Sequence, residues 1–399
     1  MNVFVADKLP EEAINELNDL GVDVTFDPSV GGGDLDEGLG DTDILIVRST
    51  LVTEKCIKNS PNLMLIIRAG AGVNTIDIEA ASNFGIYVAN CPGQNSIAVA
   101  ELTMGLILSL DRFLPDNVID FRNGQWNKAT FSKADGLFGK TLGVVGVGQI
   151  GKSVIERAKA FGLDIVAWSR SLTPDVAEEM KIDFAENIQQ VAESCDILTV
   201  HLAMNADTKE IISKDILSSL KDGAFFINTS RAGVVDEDAL YEELKSGRIK
   251  AGLDVISDEP EYKKGEVESR FQDLDNVYIS HHIGASTKQA QLAVASDAVD
   301  IVRGYLSEGK VRNWLNRCEQ TEAPWKLVVR HYDKPGVIAS VMSELKSADI
   351  NAQELENVIF EGKNAACCTI QLDSKPTDDI FQKINTQHED VISAMLIKN

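Results

Sequence analysis

The run Gly146-Val147-Gly148-Gln149-Ile150-Gly151 constrains the fold of this chain more than any other stretch. It follows an apolar, strand-like segment at 142–145 and opens a helix-like segment at 152–161. Glycines at this spacing, between a strand and a helix, predict a turn that holds a dinucleotide. The first glycine permits the tight turn. The second lets a pyrophosphate come close to the backbone, and the third lets helix and strand pack closely. The phosphates then meet the free N–H groups and the positive dipole end of the helix.

Around this turn the chain alternates. Segments 2–6, 44–47, 63–67 and 86–88 are short and β-rich, and 11–20 carries Ile14, Leu17 and Leu20 at helical spacing. Gly31-Gly32-Gly33 predicts a loop. Past the glycine turn, 165–168, 197–200, 224–228, 251–255 and 277–280 continue the strand series. Such βα repetition predicts the α/β class, with mostly parallel strands and helices on both faces. Segment 95–110 predicts a long helix, apolar nearly all round and so buried between domains or subunits. A second long helix is predicted at 290–306. The polar stretch 316–323 before Pro324 predicts a linker. Beyond it, 327–331, 336–347, 353–360, 365–372, 378–385 and 391–397 read strand, helix, strand, strand, helix, strand. That order is ferredoxin-like and too short for another nucleotide domain.

The chain has 399 residues, 44% of them hydrophobic, so large cores are available. The net charge of −24 repels nucleic acid and anionic membranes and favours solubility. It also repels an anionic substrate, so any anion site has to be assembled locally from Arg or Lys. No apolar run reaches the length of a membrane span, and Met1-Asn2-Val3-Phe4-Val5-Ala6-Asp7 lacks the basic start of a secretory signal. Cys56, Cys91, Cys195, Cys318, Cys367 and Cys368 show neither CxxC nor zinc spacing. They predict reduced thiols in a cytoplasmic protein and no metal site, with Cys91 structural.

Further motifs carry a resemblance that covers almost the whole chain. Arg68-Ala69-Gly70-Ala71-Gly72-Val73-Asn74, the pairs Asn95-Ser96 and Ala100-Glu101, Asn228-Thr229-Ser230-Arg231, segment 254–260 and His282-Ile283-Gly284-Ala285-Ser286-Thr287 resemble the D-isomer-specific 2-hydroxyacid dehydrogenases. His331-Tyr332-Asp333-Lys334-Pro335-Gly336-Val337 resembles the opening of an ACT domain. The resemblance implies a Rossmann-type nucleotide domain (95–283) inserted in a flavodoxin-like substrate domain (1–94 and 284–317). A linker (318–324) and a ferredoxin-like ACT regulatory domain (325–399) then follow. Family members that end in an ACT domain include those oxidising 3-phosphoglycerate to 3-phosphohydroxypyruvate at the first step of serine synthesis, the activity expected here. Glyoxylate or hydroxypyruvate reduction, and non-enzymatic NAD(H) sensing of the corepressor kind, stand as alternatives within the same fold.

Oxidising a 2-hydroxy acid removes a hydroxyl proton while a hydride leaves the carbon. The resemblance gives that proton to His282, places Glu259 on its other ring nitrogen, and has Arg231 grip carboxylate and carbonyl. Histidine suits the base because its ordinary pKa lies near neutrality, and the planar fork of arginine suits a carboxylate. By residue type alone His281 would serve equally; the family places its histidine directly before Ile-Gly, which selects His282. The resemblance assigns the substrate's phosphate to Arg48 and Arg68, and the rest of the substrate site to Gly70, Ala71, Gly72 and Asn95. Arg48 directly follows an apolar strand, on the usual ligand edge of such a sheet.

For the cofactor, the resemblance places Gly146, Gly148, Gln149, Ile150 and Gly151 at the pyrophosphate. It places Thr229, Ser230 and Arg231 near the nicotinamide, Asp254 at the carboxamide, and His282 and Gly284 in the same site. NAD enzymes carry an acid about 20 residues past the glycines, on the ribose 2′-OH. Here Ser169 takes that place and Arg170 follows, which leaves a 2′-phosphate unrepelled and offers it a partner. NAD is implied by the family, and use of NADP as well is expected. At the ACT domain the implied effector is serine, held by His331, Asp333 and Asn351. Asp333 stands where the family's pattern has Asn and loses an amide donor. A module that only dimerises is the alternative. The apolar helix and the ACT module both imply a homodimer or homotetramer.

Overall fold

The computed structural model describes residues 1–260, 266–318, 323–386 and 388–399. These fall into two units, Met1–Asn316 and Arg317–Asn399. No helix among the described residues is long and apolar enough to cross a membrane.

The first unit opens with β1 (Asn2–Val5), β2 (Asp23–Phe26), β3 (Ile44–Val47), β4 (Leu65–Arg68) and β5 (Tyr87–Asn90). They form a parallel sheet in the order β2-β1-β3-β4-β5. The run Ile44-Leu45-Ile46-Val47 is buried throughout, as a strand covered on both faces must be. Helices Glu11–Asp19 and Lys288–Glu308 supply Leu17, Ala298 and Val302 to one face; Cys56, Ile57 and Ala81 from short helices cover the other. The strand order reverses between β1 and β3. Sheets of this kind take ligands in the crevice beyond the carboxyl ends at such a reversal. The residues that follow β1 and β3, Asp7-Lys8 and Arg48, stand there.

A second sheet holds β6 (Thr141–Val145), β7 (Asp164–Trp168), β8 (Asp183–Phe184), β9 (Ile197–Val200), β10 (Phe225–Asn228), β11 (Lys250–Leu253) and β12 (Val277–Ile279). All are parallel, in the order β12-β11-β10-β9-β6-β7-β8, and the reversal falls between β6 and β9. The predicted apolar helix is Ser96–Arg112. It packs on helix Gln149–Ala160 and against β10 and β11, and also meets Lys288–Glu308. Its core-facing Ala100, Met104, Ile107 and Leu110 join those of β6 and β10, which accounts for its composition.

Three local differences from the sequence reading have physical causes. The helix after the glycine turn begins at Gln149, not 152, because the turn's own residues make its first coil. Gly31-Gly32-Gly33 is not all loop: Gly32–Leu35 is one helical turn, entered where Asp34 accepts the Gly31 N–H at 2.9 Å. A side chain at Gly32 would stand 2.9 Å from Leu51 Cβ. Strand β2 escaped detection because it is a mostly exposed edge strand of four residues, too short for the alternation of Val24 and Phe26 to stand out.

The second unit contains β13 (Trp325–Tyr332), β14 (Ala352–Ile359), β15 (Ala365–Leu372) and β16 (Val391–Lys398), with helices Val337–Ser347 and Asp378–Thr386. The sheet is antiparallel in the order β14-β15-β13-β16, the ferredoxin-like arrangement. Leu327, Val329, Cys368, Ile370 and Leu372 fill its core against Val341, Leu345 and Ile384. Of the expected linker 318–324, residues 319–322 lie outside the described residues.

Candidate active site

The glycine turn follows β6. Gly146 has φ +99°, and a Cβ there would lie 2.4 Å from the His201 carbonyl oxygen. A Cβ on Gly151 would lie 2.1 Å from the Gly146 carbonyl oxygen. Both positions exclude any side chain. Gly148 differs, since a Cβ there meets nothing within 4 Å. It caps helix Gln149–Ala160, and no side chain covers that helix end, so the N–H groups of Gln149 and Ile150 stay available. An open glycine beneath bare helical amides fits a dinucleotide's pyrophosphate. Ser169 and the exposed Arg170 follow β7, and no carboxylate stands at the position that would select against a 2′-phosphate.

The loops after β10, β11 and β12 build the catalytic candidates. Asn228 shapes the first: its Oδ1 accepts the Ser230 N–H at 2.9 Å and the Ser230 hydroxyl at 2.8 Å, and its Nδ2 donates to the Arg231 carbonyl at 2.9 Å. Thr229 Oγ1 meets Thr103 Oγ1 at 3.0 Å. Arg231 Nη1 donates to the Ser230 carbonyl at 2.6 Å, and a Cβ on Gly72 would lie 2.8 Å from Arg231 Nη2. Gly72 therefore makes room for the guanidinium. The hydroxyls of Thr229 and Ser230 are spent on holding this turn.

Asp254, 2% exposed, shapes the histidine loop. Its carboxylate accepts from Ser280 Oγ (2.6 Å), the Ile283 N–H (2.9 Å) and the Gly284 N–H (2.8 Å), while its carbonyl accepts the His282 N–H at 2.9 Å. Three of about four acceptor sites on that carboxylate are thus taken. The loop places His282 at φ +50°, a left-handed conformation uncommon outside glycine. His282 Nδ1 then meets Glu259 Oε2 at 2.8 Å, and Glu259 Oε1 accepts the Ile256 N–H at 3.2 Å. His281 is exposed and does not share this pair. The Glu259 hydrogen bond, working against partial burial and helped by its charge, raises the His282 pKa. Burial would raise the Glu259 pKa, but the hydrogen bond and charge of His282, with the Ile256 N–H and Arg231, hold it below the ordinary value.

His282 borders a cavity of about 160 Å³ that Lys8, Arg48, Arg68, Gly70 and Asn95 also line. Gly70 has φ +154°, and a Cβ there would overlap Arg68 Nη1 at 1.7 Å, so only glycine lets that guanidinium lie across the backbone. Asn90 Nδ2 fixes the same stretch through the Ala71 carbonyl at 2.6 Å. Burial, then the like charges of Arg231 and Arg48, push the Arg68 pKa down. Arg68 Nε is buried without a hydrogen-bond partner. Three guanidinium groups that repel one another, one with an unspent donor, have the chemistry to take up an anion.

Asp7 and Lys8 were missed in the sequence reading. Asp7 Oδ2 accepts the N–H groups of Arg48 (2.7 Å), Ser49 (2.9 Å) and Thr50 (2.9 Å), and Oδ1 accepts Ser49 Oγ at 2.9 Å. Both residues come within three positions of the end of an apolar strand, a signal close to the one that singled out Arg48. Cys91 is buried, and burial with the charge of Asp297 pushes its thiol up to about 12, so it is inert.

The effector candidates are spread over the second unit. His331 is 2% exposed. It faces the core because β13 alternates Leu327, Val329 and His331 inward. Its Nδ1 meets the Tyr332 carbonyl at 2.7 Å and its Nε2 meets Asn357 Oδ1 at 3.1 Å, so neither ring nitrogen is free. Asp333 and Asn351 are exposed and lie beyond opposite ends of helix Val337–Ser347, so one chain does not gather the three.

Comparison with known proteins agrees with this geometry. Residues 104–284 match the family model of the D-isomer specific 2-hydroxyacid dehydrogenase NAD binding domain. The D-3-phosphoglycerate dehydrogenase of Methanocaldococcus jannaschii is 39% identical over 317 residues, 78% of this chain. The chain spans only 59% of that enzyme's length. The hydroxypyruvate reductase of Thermotoga maritima is 37% identical over 75% of this chain and 96% of its own length. The NAD⁺-bound 3-phosphoglycerate dehydrogenase of Entamoeba histolytica superposes with a TM-score of 0.66 at 26% identity, over 79% of this chain and 99% of that one. Relatives of this closeness, one matched over almost its full length, place the chain: it belongs to the D-isomer specific 2-hydroxyacid dehydrogenases.

Proposed function

We propose that the chain is a cytoplasmic D-3-phosphoglycerate dehydrogenase that interconverts 3-phosphoglycerate and 3-phosphohydroxypyruvate, the first step of serine synthesis. The observation that carries this reading is the cavity beside His282, lined by Arg48 and Arg68, whose side chains form no ion pair with a carboxylate among the described residues although the Asp7 charge lies near. In a chain of net charge −24, cations kept together in this way are suited to an anion of more than one charge. Arg231 grips the substrate carboxylate and C2 oxygen, while Arg48 and Arg68 take the phosphate. His282 Nε2 removes the C2 hydroxyl proton in oxidation and returns it in reduction. Glu259 keeps the Nδ1–H in place and stabilises the imidazolium. The nicotinamide accepts or supplies the hydride.

The same reading divides the first unit into a substrate part (1–94 and 284–317) and a nucleotide part (95–283). Ser169 and Arg170 support use of both NAD and NADP. A homodimer or homotetramer fits two exposed apolar features: helix Leu114–Arg122, with Val118, Ile119 and Phe121, and edge strand β14, with Leu355, Val358 and Ile359. Serine as effector rests on the exposed Asp333 and Asn351. Absence of any serine effect on rate or melting temperature removes that part.

Hydroxypyruvate reduction is the second reading, favoured by Ser169-Arg170 and by the Thermotoga maritima relative. The test follows nicotinamide absorbance with 3-phosphohydroxypyruvate, hydroxypyruvate and glyoxylate, each with NADH and NADPH. Efficient reduction of the phosphorylated substrate supports the proposal. NADH binding without turnover of any 2-oxo acid replaces it with a sensor of the corepressor kind.

A further inference from the structure

We infer that Lys8 is the third cation of the phosphate subsite and a determinant of preference for a phosphorylated 2-hydroxy acid. The inference rests on the phosphoglycerate reading above. Lys8 lines the same cavity as Arg48, Arg68 and His282. It follows β1, whose Val5 pairs with Ile46 of β3, so Asp7-Lys8 and Arg48 leave neighbouring strands at the reversal of the sheet. Its side chain is exposed and has no carboxylate partner among the described residues.

The need for Lys8 comes from what Asp7 does. Loops at strand ends often hold phosphate with consecutive backbone N–H groups. Here the N–H groups of Arg48, Ser49 and Thr50, and the Ser49 hydroxyl, all point at the Asp7 carboxylate. Those donors are spent, so side-chain cations have to meet a phosphate in this cavity. Asp7 also brings a buried negative charge against Arg48, and its pKa is held low: burial opposes this, and the Arg48, Thr50 and Ser49 hydrogen bonds outweigh it. A phosphate ester carries about −1.5 to −2 at pH 7. Arg48 and Arg68, offset by Asp7, leave roughly one positive charge, and Lys8 restores the second. A lysine's compact ammonium on a flexible stem suits a phosphate approached from solvent. An unphosphorylated hydroxy acid places nothing at this end of the cavity.

The experiment compares kcat/KM for 3-phosphohydroxypyruvate and for hydroxypyruvate in the full chain, wild type, Lys8→Gln and Lys8→Arg. Lys8 is exposed, so both variants are expected to fold, and thermal melts check this. The ratio of the two kcat/KM values is expected to fall about tenfold to a hundredfold in Lys8→Gln, with most of the ratio regained in Lys8→Arg. A wild type that prefers the phosphorylated substrate, with a Lys8→Gln ratio unchanged, overturns the Lys8 inference and leaves the proposed function standing. A wild type without that preference overturns both.

Discussion

Gly148 and Gly151 lie three residues apart in one motif, yet the geometry predicts opposite consequences for the same substitution. An alanine Cβ at Gly148 meets no atom within 4 Å, and the residue's φ of −80° is open to any L-amino acid. Gly148→Ala is therefore expected to fold normally. Loss of glycine's freedom in the unfolded chain contributes about 0.4–1 kcal/mol of stability, a rise in Tm of about 1–4 °C. The new methyl stands in the space above the bare end of helix Gln149–Ala160, where a pyrophosphate has to approach. Displacing one charge-assisted hydrogen bond costs about 1.5–3 kcal/mol, so the Kd for NADH is expected to rise about tenfold to a hundredfold. At Gly151 the Cβ would lie 2.1 Å from the Gly146 carbonyl oxygen, backbone that has no free path away. Gly151→Ala is expected to lose about 1–3 kcal/mol of stability, and cofactor binding with it. Fluorescence titration with NADH and thermal denaturation read both effects. A Gly148→Ala protein that binds NADH like wild type, or melts well below it, would refute this account of the turn.

Three further outcomes follow from the site. His282→Ala is expected to abolish turnover while NADH still binds; substantial turnover by that variant contradicts the assignment of the base. In Glu259→Gln the influence that raises the His282 pKa is gone. Reduction needs the imidazolium, so the pH at which its rate declines moves downward, and a decline unmoved in pH–rate profiles argues against the pair. Asp7, with its pKa lowered in the folded state, stabilises the fold above the unfolded carboxylate's pKa of about 3.9 and ceases to do so as pH falls through its folded value. Asp7→Asn should therefore lose about 1–3 kcal/mol near pH 7, with the gap from wild type closing in acid; a gap independent of pH in thermal melts would exclude the charge as the cause.

The strands were legible because parallel strands buried on both faces leave apolar, β-branched runs, unbroken in Ile44-Leu45-Ile46-Val47 and interrupted only by the β-branched Thr199 in Ile197-Leu198-Thr199-Val200. Helices such as Lys214–Ser218 and Ile188–Ser194 were not, since five to seven residues barely complete two turns and show no period. His282 and Glu259 were read from motif alone. The reason they meet lies in Asp254, buried and gathering the loop with three hydrogen bonds, and in the left-handed backbone at His282. Neither has a local signature. The grip of Asp7 on Arg48 spans 41 residues and depends on the pairing of β1 with β3. The inward place of His331 was legible in the sequence: with Leu327 and Val329 it sits at period two on the inward face of β13.

The central claim is that the cations beside His282 hold the phosphate of the substrate. Comparing kcat/KM for 3-phosphohydroxypyruvate and hydroxypyruvate, in wild type and in Arg48→Gln, tests it most directly. The account predicts a strong preference for the phosphorylated substrate that Arg48→Gln largely erases. Equal use of both substrates by the wild type, or a preference that survives in Arg48→Gln, would contradict it.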